Sequence, residues 1–483
     1  MSDDAQSHDM STERELPVAA IILAAGLGTR MKSSLPKVLH EVCGRPMVSY
    51  VVDAALSLQP TRLVVVTGVE HDEVEALLPV GCERAIQAER LGTGDAVRAG
   101  MEPLVGFDGD VVVLVGDAPL VDGGFLRGLI ADHRRTGCAA TVATAVLESP
   151  GCYGRIARAG GGEVQRIVEA RDASPEQLAI GEVNTGFYVF AADHLRRLLP
   201  RLRRGNAQGE LYLTDVVHLM IAEGHRVAAY QTPDPEVMAA VNSRVELAQV
   251  NGAMRRRLLE RLMLAGVTIV DPASTYLDYG VEVGRDTIVH PQSYLYGHTQ
   301  VGAAAEIGPG TYLRDVFVGD RARIVNSYLT QCVIGSGCFV GPFAHIRPNT
   351  VLREGAGAGT FVEIKNSTVG ERSKVPHLSY IGDTVIGKDT NIGAGNITAN
   401  FDGFQKHATT VGDNVKTGSN TTMVAPVAIG DGAFTAAGSV ITEDVPADAL
   451  GVARSRQQNL SGYGRRRRER HLGAQQQRGE DAR

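Results

Sequence analysis

The chain has no tryptophan, and aromatic residues make up only 5% of its 483 positions, so nothing in it resembles the aromatic belts of membrane-interface proteins. Long hydrophobic runs are missing as well. The longest, residues 18–25, is far too short to cross a bilayer. Residues 1–16 are polar and acidic without an apolar stretch, which excludes a secretory signal and leaves a disordered leader as the expectation. Cysteine is sparse: Cys43, Cys82, Cys138, Cys152, Cys332 and Cys338 show no CxxC or Cys/His spacing. Neither a disulfide framework nor a zinc site is therefore expected, and scattered thiols suit a reducing cytoplasm. There is no surplus of positive charge. A formal net charge of -7 gives no general attraction to nucleic acid or anionic lipid.

What the chain does have is a period. From Val283 an aliphatic or small residue recurs at every sixth position: Val283, Val289, Leu295, Val301, Ile307 and Leu313. A second run is Ile334, Val340, Ile346, Leu352, Ala358 and Ile364, and a third is Val411, Thr417, Met423, Ile429, Thr435 and Ile441. Val369, Val375, Ile381, Ile386 and Ile392 continue it with one-residue slips. Six matches neither the helical period of 3.6 nor the strand period of 2, so no amphipathic helix or half-buried sheet explains it. Hexapeptide repeats of this kind predict a parallel β-helix with the periodic side chains inside. Gly284, Gly302, Gly308, Gly335, Gly341, Gly370, Gly382 and Gly387 fall at or near its corners, where the missing Cβ is expected to relieve backbone strain.

Before the repeats the pattern is different. Apolar runs at 18–23, 62–68, 110–117, 138–146 and 187–192 alternate with helix-period segments such as 47–58 and 125–136. This predicts an α/β domain with a mostly parallel sheet covered on both faces, whose ligands gather at the carboxyl ends of the strands. Residues 245–265 lack proline and have helical periodicity, which predicts a helical linker. The expected order is a leader (1–16), an α/β domain (17–244), the linker (245–265), the β-helix (266–455) and a disordered basic tail (456–483) containing RRRRER.

The first strand runs into AAGLGTRMKSSLPK, residues 24–37. Gly26 and Gly28 allow backbone amides to approach phosphate oxygens, while Arg30 and Lys37 supply positive charge for a polyphosphate. A lone GxG is more often a plain strand-to-helix turn. The dinucleotide fingerprint fails because Met31 stands where its third glycine belongs, and no GK[ST] follows to make a Walker loop. The longer pattern GxGTRM with LPK downstream is more specific. With IQAERLGTGDA (86–96), VGDAPL (115–120), CYGRI (152–156), IVEARDA (167–173), EVNTGFY (182–188) and VNSR (241–244), residues 17–455 resemble the bacterial bifunctional N-acetylglucosamine-1-phosphate uridyltransferase/glucosamine-1-phosphate acetyltransferases.

That resemblance implies a Rossmann-like nucleotidyltransferase domain joined to a left-handed β-helix. It implies two reactions: acetylation of glucosamine 1-phosphate by acetyl-CoA, then transfer of UMP from UTP to make UDP-N-acetylglucosamine for cell-wall polymers. In the family pattern Ala24, Gly26, Gln87 and Thr93 meet uracil, and Leu23, Ala25 and Gly92 belong to the same nucleotide-binding segments. Asp117 and Asn242 would hold Mg²⁺ with the nucleotide phosphates, and Gly154, Glu169 and Asn184 would meet the sugar. Without the resemblance, Asp117 and Asn242 read as helix caps and Gln87 as a surface residue. A flipped Gln87 amide would suit cytosine as well as uracil, so the 24–26 backbone is expected to hold more of the base choice.

For acetyl transfer, His377 matches the family's general base, two residues past inward Val375, though a lone histidine is more often a surface residue. Arg347, Lys365, Tyr380 and Asn391 match the sugar-phosphate pocket, and Ala394, Asn400, Phe401, Ser419, Ala437 and Arg454 the acetyl-CoA positions. Phe401 departs from the family's usual tyrosine and lacks its hydroxyl. Residues 399–410 break the six-residue period, which predicts a loop thrown off the coil. The family also implies a homotrimer; a cytoplasmic enzyme without nucleic-acid or membrane partners is the expectation from the thiols and the net charge. Two rivals stand beside this reading: a single-activity pyrophosphorylase with a structural β-helix, and a nucleic-acid binder using the arginine tail, against which net acidity and the lack of interleaved aromatics argue.

Overall fold

The computed structural model describes residues 16–26, 28–69 and 72–480, so the expected leader lies outside the described residues except for Leu16. The chain divides into two units. One takes the residues up to 265 together with 276–281, and the other takes 266–275 and the residues from 282 onward.

The first unit is built on a sheet in which Val18–Leu23 is flanked in parallel by Arg62–Gly68 and Asp110–Val115. The strand order is Val227–Gln231, Ala140–Val146, Glu182–Ala191, Asp110–Val115, Val18–Leu23, Arg62–Gly68, Glu83–Gln87. The predicted run 187–192 is, up to residue 191, the last part of the ten-residue strand Glu182–Ala191, which is antiparallel to both neighbours, and Ala192 opens the next helix. Alternate residues feed two apolar cores. Ile21, Val64, Val111 and Phe190 face one layer of helices, and Ile22, Val65, Val112 and Phe187 face the other. Helices Met47–Leu56 and Gly123–Thr136 occupy the segments predicted to be helical. The helix Arg244–Leu264 starts at a Ser243 cap and buries Val250, Met254, Leu258 and Leu262. It packs within the first unit: Asn251 accepts from the Cys43 amide at 2.9 Å, and Arg257 donates to the Leu120 carbonyl at 2.6 Å.

The second unit coils as the period requires. Strands of two to four residues repeat along three parallel sheets, with registers such as Val289↔Ile307, Ile307↔Ile324 and Ile346↔Ile364. Of the residues assigned to the inside, all are buried except Val283, which is half-buried where the coil begins. Cys332 and Cys338 are also inside, and burial pushes their thiols up to about 12 and about 11. The corner glycines serve mainly coil packing and not the relief of backbone strain expected of them. Of the eight corner glycines only Gly308 and Gly341 are left-handed, with φ of 97° and 105°. The others are there because the next coil approaches closely; a Cβ on Gly370 would lie 2.3 Å from the Gly387 carbonyl oxygen. Left-handed corners fall largely to polar side chains that tolerate them, among them Asn326, Asn349, Asn366, Asp383 and Asp389 at φ 43–61°.

The basic tail also differs from expectation. Tyr463–Glu480 is a helix, exposed along its described length. Arginine, glutamine and alanine are good helix formers and no proline interrupts the segment, so local propensity suffices without a buried face.

Two candidate active sites

In the first unit the chain runs from Val18–Leu23 to Arg62–Gly68 and Glu83–Gln87 on one side, then returns to Asp110–Val115 on the other. This reversal opens a crevice at the carboxyl ends of the strands. The Gly116 amide donates to the Leu23 carbonyl at 2.9 Å, and the Ala24 amide to the Val66 carbonyl at 2.8 Å. Gly28 is left-handed at φ 61°, and a Cβ there would lie 2.6 Å from the Lys37 Cβ. The glycine thus lets residue 37 fold back under the loop. Arg30 is exposed, and Arg90 Nε donates to the Ala25 carbonyl at 3.1 Å, bracing the loop from the next strand end.

Lys37, Asp117 and Asn242 meet in this crevice. The Lys37 ammonium donates to the Asp117 carboxylate and, at 3.1 Å, to Asn242 Oδ1. Both members of the ion pair are largely buried. The capping alternatives fall away: Asp122 caps the helix after the strand, and Ser243 caps the one after Asn242. Among the described residues no cluster of three or more histidine, cysteine or acidic side chains could hold a metal. Asp117 and Asn242 offer two hard oxygens around a point already filled by a cationic group. That donor set fits Mg²⁺ if phosphate oxygens and water supply the other ligands.

Around the crevice, Gln87 ends its strand opposite Gly68 and is buried rather than on the surface. Its Nε2 donates to the Gly92 carbonyl at 3.0 Å and to Asp95 Oδ2 at 2.9 Å. Gly92 has φ 113°, and Thr93 Oγ1 accepts from the Leu213 amide at 3.0 Å. Of the residues expected at the sugar, Asn184 accepts from the Gly186 amide and donates to the Tyr188 hydroxyl at 2.6 Å, while its backbone amide donates to the Gly154 carbonyl. A Cβ on Gly154 would lie 3.5 Å from Glu169 Oε2. Burial raises the Glu169 carboxyl above the ordinary range, only partly opposed by the Thr214 hydroxyl.

In the second unit the matched residues fall on two edges of one coil face. The Gly395 amide donates to the His377 carbonyl, Asn420 to Ala394, and Gly438 to Ser419. His377, Ala394, Ser419 and Ala437 therefore stack along one corner, with Arg454 beside Gly438. His377 is exposed, as its offset from Val375 predicts, and opens on a cleft of about 520 Å³ with Phe339, Pro342, Thr360 and Lys374. Asn391 lies exposed one coil beyond Lys374.

The opposite edge carries Arg347, Lys365 and Asn400. Arg347 pairs with Glu363 at 2.7 Å, and Asn400 donates to Asp383. Tyr380 lies on the strand between the edges, its ring beside Gly382. Burial alone would raise Asp383, but the Asn366 and Asn400 amides and the nearby Lys365 and Lys406 hold it below the usual carboxylate range. Lys406, which sequence reasoning passed over, is lowered by its neighbour Lys365. It arrives on the loop that breaks the period, where Phe401 bridges Lys406 and Asp402 turns the tip. Phe401 is exposed.

Comparison with known proteins agrees with this division. The MobA-like NTP transferase domain family matches residues 20–263, and the bacterial transferase hexapeptide family (six repeats) matches 408–443. The chain is 50% identical over 457 residues to "Bifunctional protein GlmU" of Streptomyces avermitilis, covering 94% of this chain and 95% of the relative. It is 47% identical over 458 residues to the protein of the same name from Mycobacterium tuberculosis, covering 93% and 92%. The Mycolicibacterium vanbaalenii protein is 48% identical over 458 residues, covering 93% of each.

Proposed function

The chain belongs to the family of bifunctional GlmU proteins, and from that premise we propose how its two units divide the synthesis of UDP-N-acetylglucosamine. In the second unit the glucosamine 1-phosphate amine attacks the acetyl thioester of acetyl-CoA. A C–N bond forms, the C–S bond breaks and free CoA thiol leaves. His377 takes the amine proton, a contribution of about 10²–10⁴-fold for a general base. Lys365, Arg347 and Lys406 hold the phosphate, Tyr380 and Asn391 line the pocket, and the corner of Ala394, Ser419 and Ala437 seats acetyl-CoA with Asn400, Phe401 and Arg454.

In the first unit an oxygen of the N-acetylglucosamine 1-phosphate attacks the α-phosphorus of UTP in line, and pyrophosphate leaves. Both partners are anionic, so neutralisation and positioning supply most of the catalysis. Arg30 and Lys37 contribute positive charge, the 24–26 backbone, Gln87, Gly92 and Thr93 seat the uridine, and Gly154, Glu169 and Asn184 seat the sugar. Asp117 and Asn242 would hold Mg²⁺, which when bound neutralises the phosphates. Lys37 bridges those two oxygens until the nucleotide arrives, and that contact is the observation that most supports the reading.

We place the enzyme in the cytoplasm, whose reducing conditions suit its scattered free thiols, and as a homotrimer. Phe317 and Val333, neighbours on one outer sheet face, and Val385 further along the same sheet leave exposed apolar surface for a second copy to cover. No described helix is long and apolar enough to cross a membrane. The test is product analysis with glucosamine 1-phosphate, UTP, acetyl-CoA and Mg²⁺ present. UDP-N-acetylglucosamine, pyrophosphate and free thiol in equal amounts are expected; pyrophosphate release without thiol release would return the coil to a purely structural role.

A further inference from the structure

The Gln87 amide has two possible orientations, and its neighbours admit one. The Gly92 carbonyl oxygen lies 3.0 Å from Nε2 and the Asp95 Oδ2 lies 2.9 Å from it. A backbone carbonyl and a carboxylate can only accept, so the side-chain nitrogen, with its two hydrogens, has to face both of them. Inverting the amide would set its oxygen against two acceptors. Gln87 and Asp95 are both nearly fully buried, at 5% and 6% exposure, so water cannot relieve that clash. Asp95 is itself held: Arg98 donates to its other oxygen, Oδ1. Among the described residues the Gln87 oxygen has no donor of its own.

We infer that Asp95 is a positioning residue for nucleotide choice, acting through Gln87: it locks the amide so that only a carbonyl oxygen faces the base. This rests on the reading that Gln87 meets the base. A fixed acceptor accepts from the N3–H of uracil and repels the bare N3 of cytosine. The side chain that looked ambiguous from sequence thereby becomes a discriminator, alongside the backbone of residues 24–26. A buried polar atom left facing a like partner is costly to leave unpaired, so the contact is large enough to set a preference.

The test is the ratio of kcat/KM for UTP to that for CTP in the full-length protein with Mg²⁺. Asp95→Asn can offer Gln87 a donor, and Asp95→Ala removes one of its two acceptors. Both should lower the UTP-over-CTP ratio on the order of ten- to hundredfold, the asparagine variant more. A residue that only supports the fold would slow both nucleotides together and leave the ratio unchanged. Gln87→Ala separates the two levels. If it leaves the ratio unchanged, the reading that Gln87 meets the base fails; if it collapses the ratio while both Asp95 variants keep it, the role of Asp95 fails. N3-methyl-UTP tests the wild type without any substitution: it should be rejected, and turnover equal to that of UTP would overturn the fixed-acceptor geometry.

Discussion

The two units assemble their sites in opposite ways. In the α/β unit the crevice is made of residues far apart in sequence: Lys37 and Asp117 are 80 positions apart, and Lys37 and Asn242 are 205. They meet only because the strand order reverses beside Val18–Leu23. In the β-helix, neighbours in the site are one coil apart, and His377, Ala394 and Ser419 line up because the period places them on one corner. A site of the first kind depends on the topology of a whole sheet, whereas a site of the second kind depends on register. Substitutions should therefore damage the units independently and by different routes.

The largest effect should come from breaking the register. Ile346 is fully buried inside the coil, while its strand neighbour His345 points outward. Ile346→Asp puts an unpaired carboxylate into an apolar stack at a cost of several kcal/mol, among the largest single-residue effects. Loss of the cooperative melting transition of the coil is expected, with little change for His345→Asp; equal melting of both variants and wild type would refute the inward assignment.

Next in size, Asp117→Ala should abolish uridylyl transfer and leave acetyl transfer nearly intact, measured as pyrophosphate and thiol release on the same sample. Equal loss of both activities in a folded variant would contradict the separation of sites. His377→Ala should show the converse pattern, slowing acetyl turnover by about 10²–10⁴-fold. Raising the pH should partly restore it, because more of the substrate amine is then already neutral. Near-normal turnover at neutral pH would remove His377 from the mechanism.

The smallest effect concerns Glu169. Burial raises its folded carboxyl above the ordinary value. Its contribution to stability is therefore fully present below the unfolded glutamate pKa of about 4.3 and is lost as pH rises through the raised folded value. Glu169→Gln should raise the Tm at neutral pH, and the gap from wild type should close in acid. A Tm difference that is the same at both pH values would rule out the titration as its source.

The contrast between the units also explains what could be read in advance. The inward residues of the coil repeat locally, so the sequence displays them; even the break at 399–410 appears in the structure as a coil-to-coil step of 25 residues, from Lys388 to Asp413, where the neighbouring coils step 17 and 18. Lys406 escaped notice because it rides on that non-periodic loop. In the α/β unit the long apolar strands were legible, but Arg155–Arg158, Val164–Val168 and Val227–Gln231 carry too many polar or small residues to announce themselves. The lock on Gln87 could not be seen from spacing alone, because it depends on which atoms of Gly92 and Asp95 face the amide. Period alone marks the corner glycines but not their cause, because coil-to-coil approach, a long-range fact, governs most of them.

Two independent sites on one chain can be tested with two inactive proteins. Asp117→Ala and His377→Ala, purified separately, should each fail to convert glucosamine 1-phosphate, UTP and acetyl-CoA efficiently into UDP-N-acetylglucosamine. Mixed in equal amounts they should restore synthesis, because one protein makes the acetylated sugar phosphate and the other uses it. A mixture of folded variants that yields no more product than either alone would contradict the account.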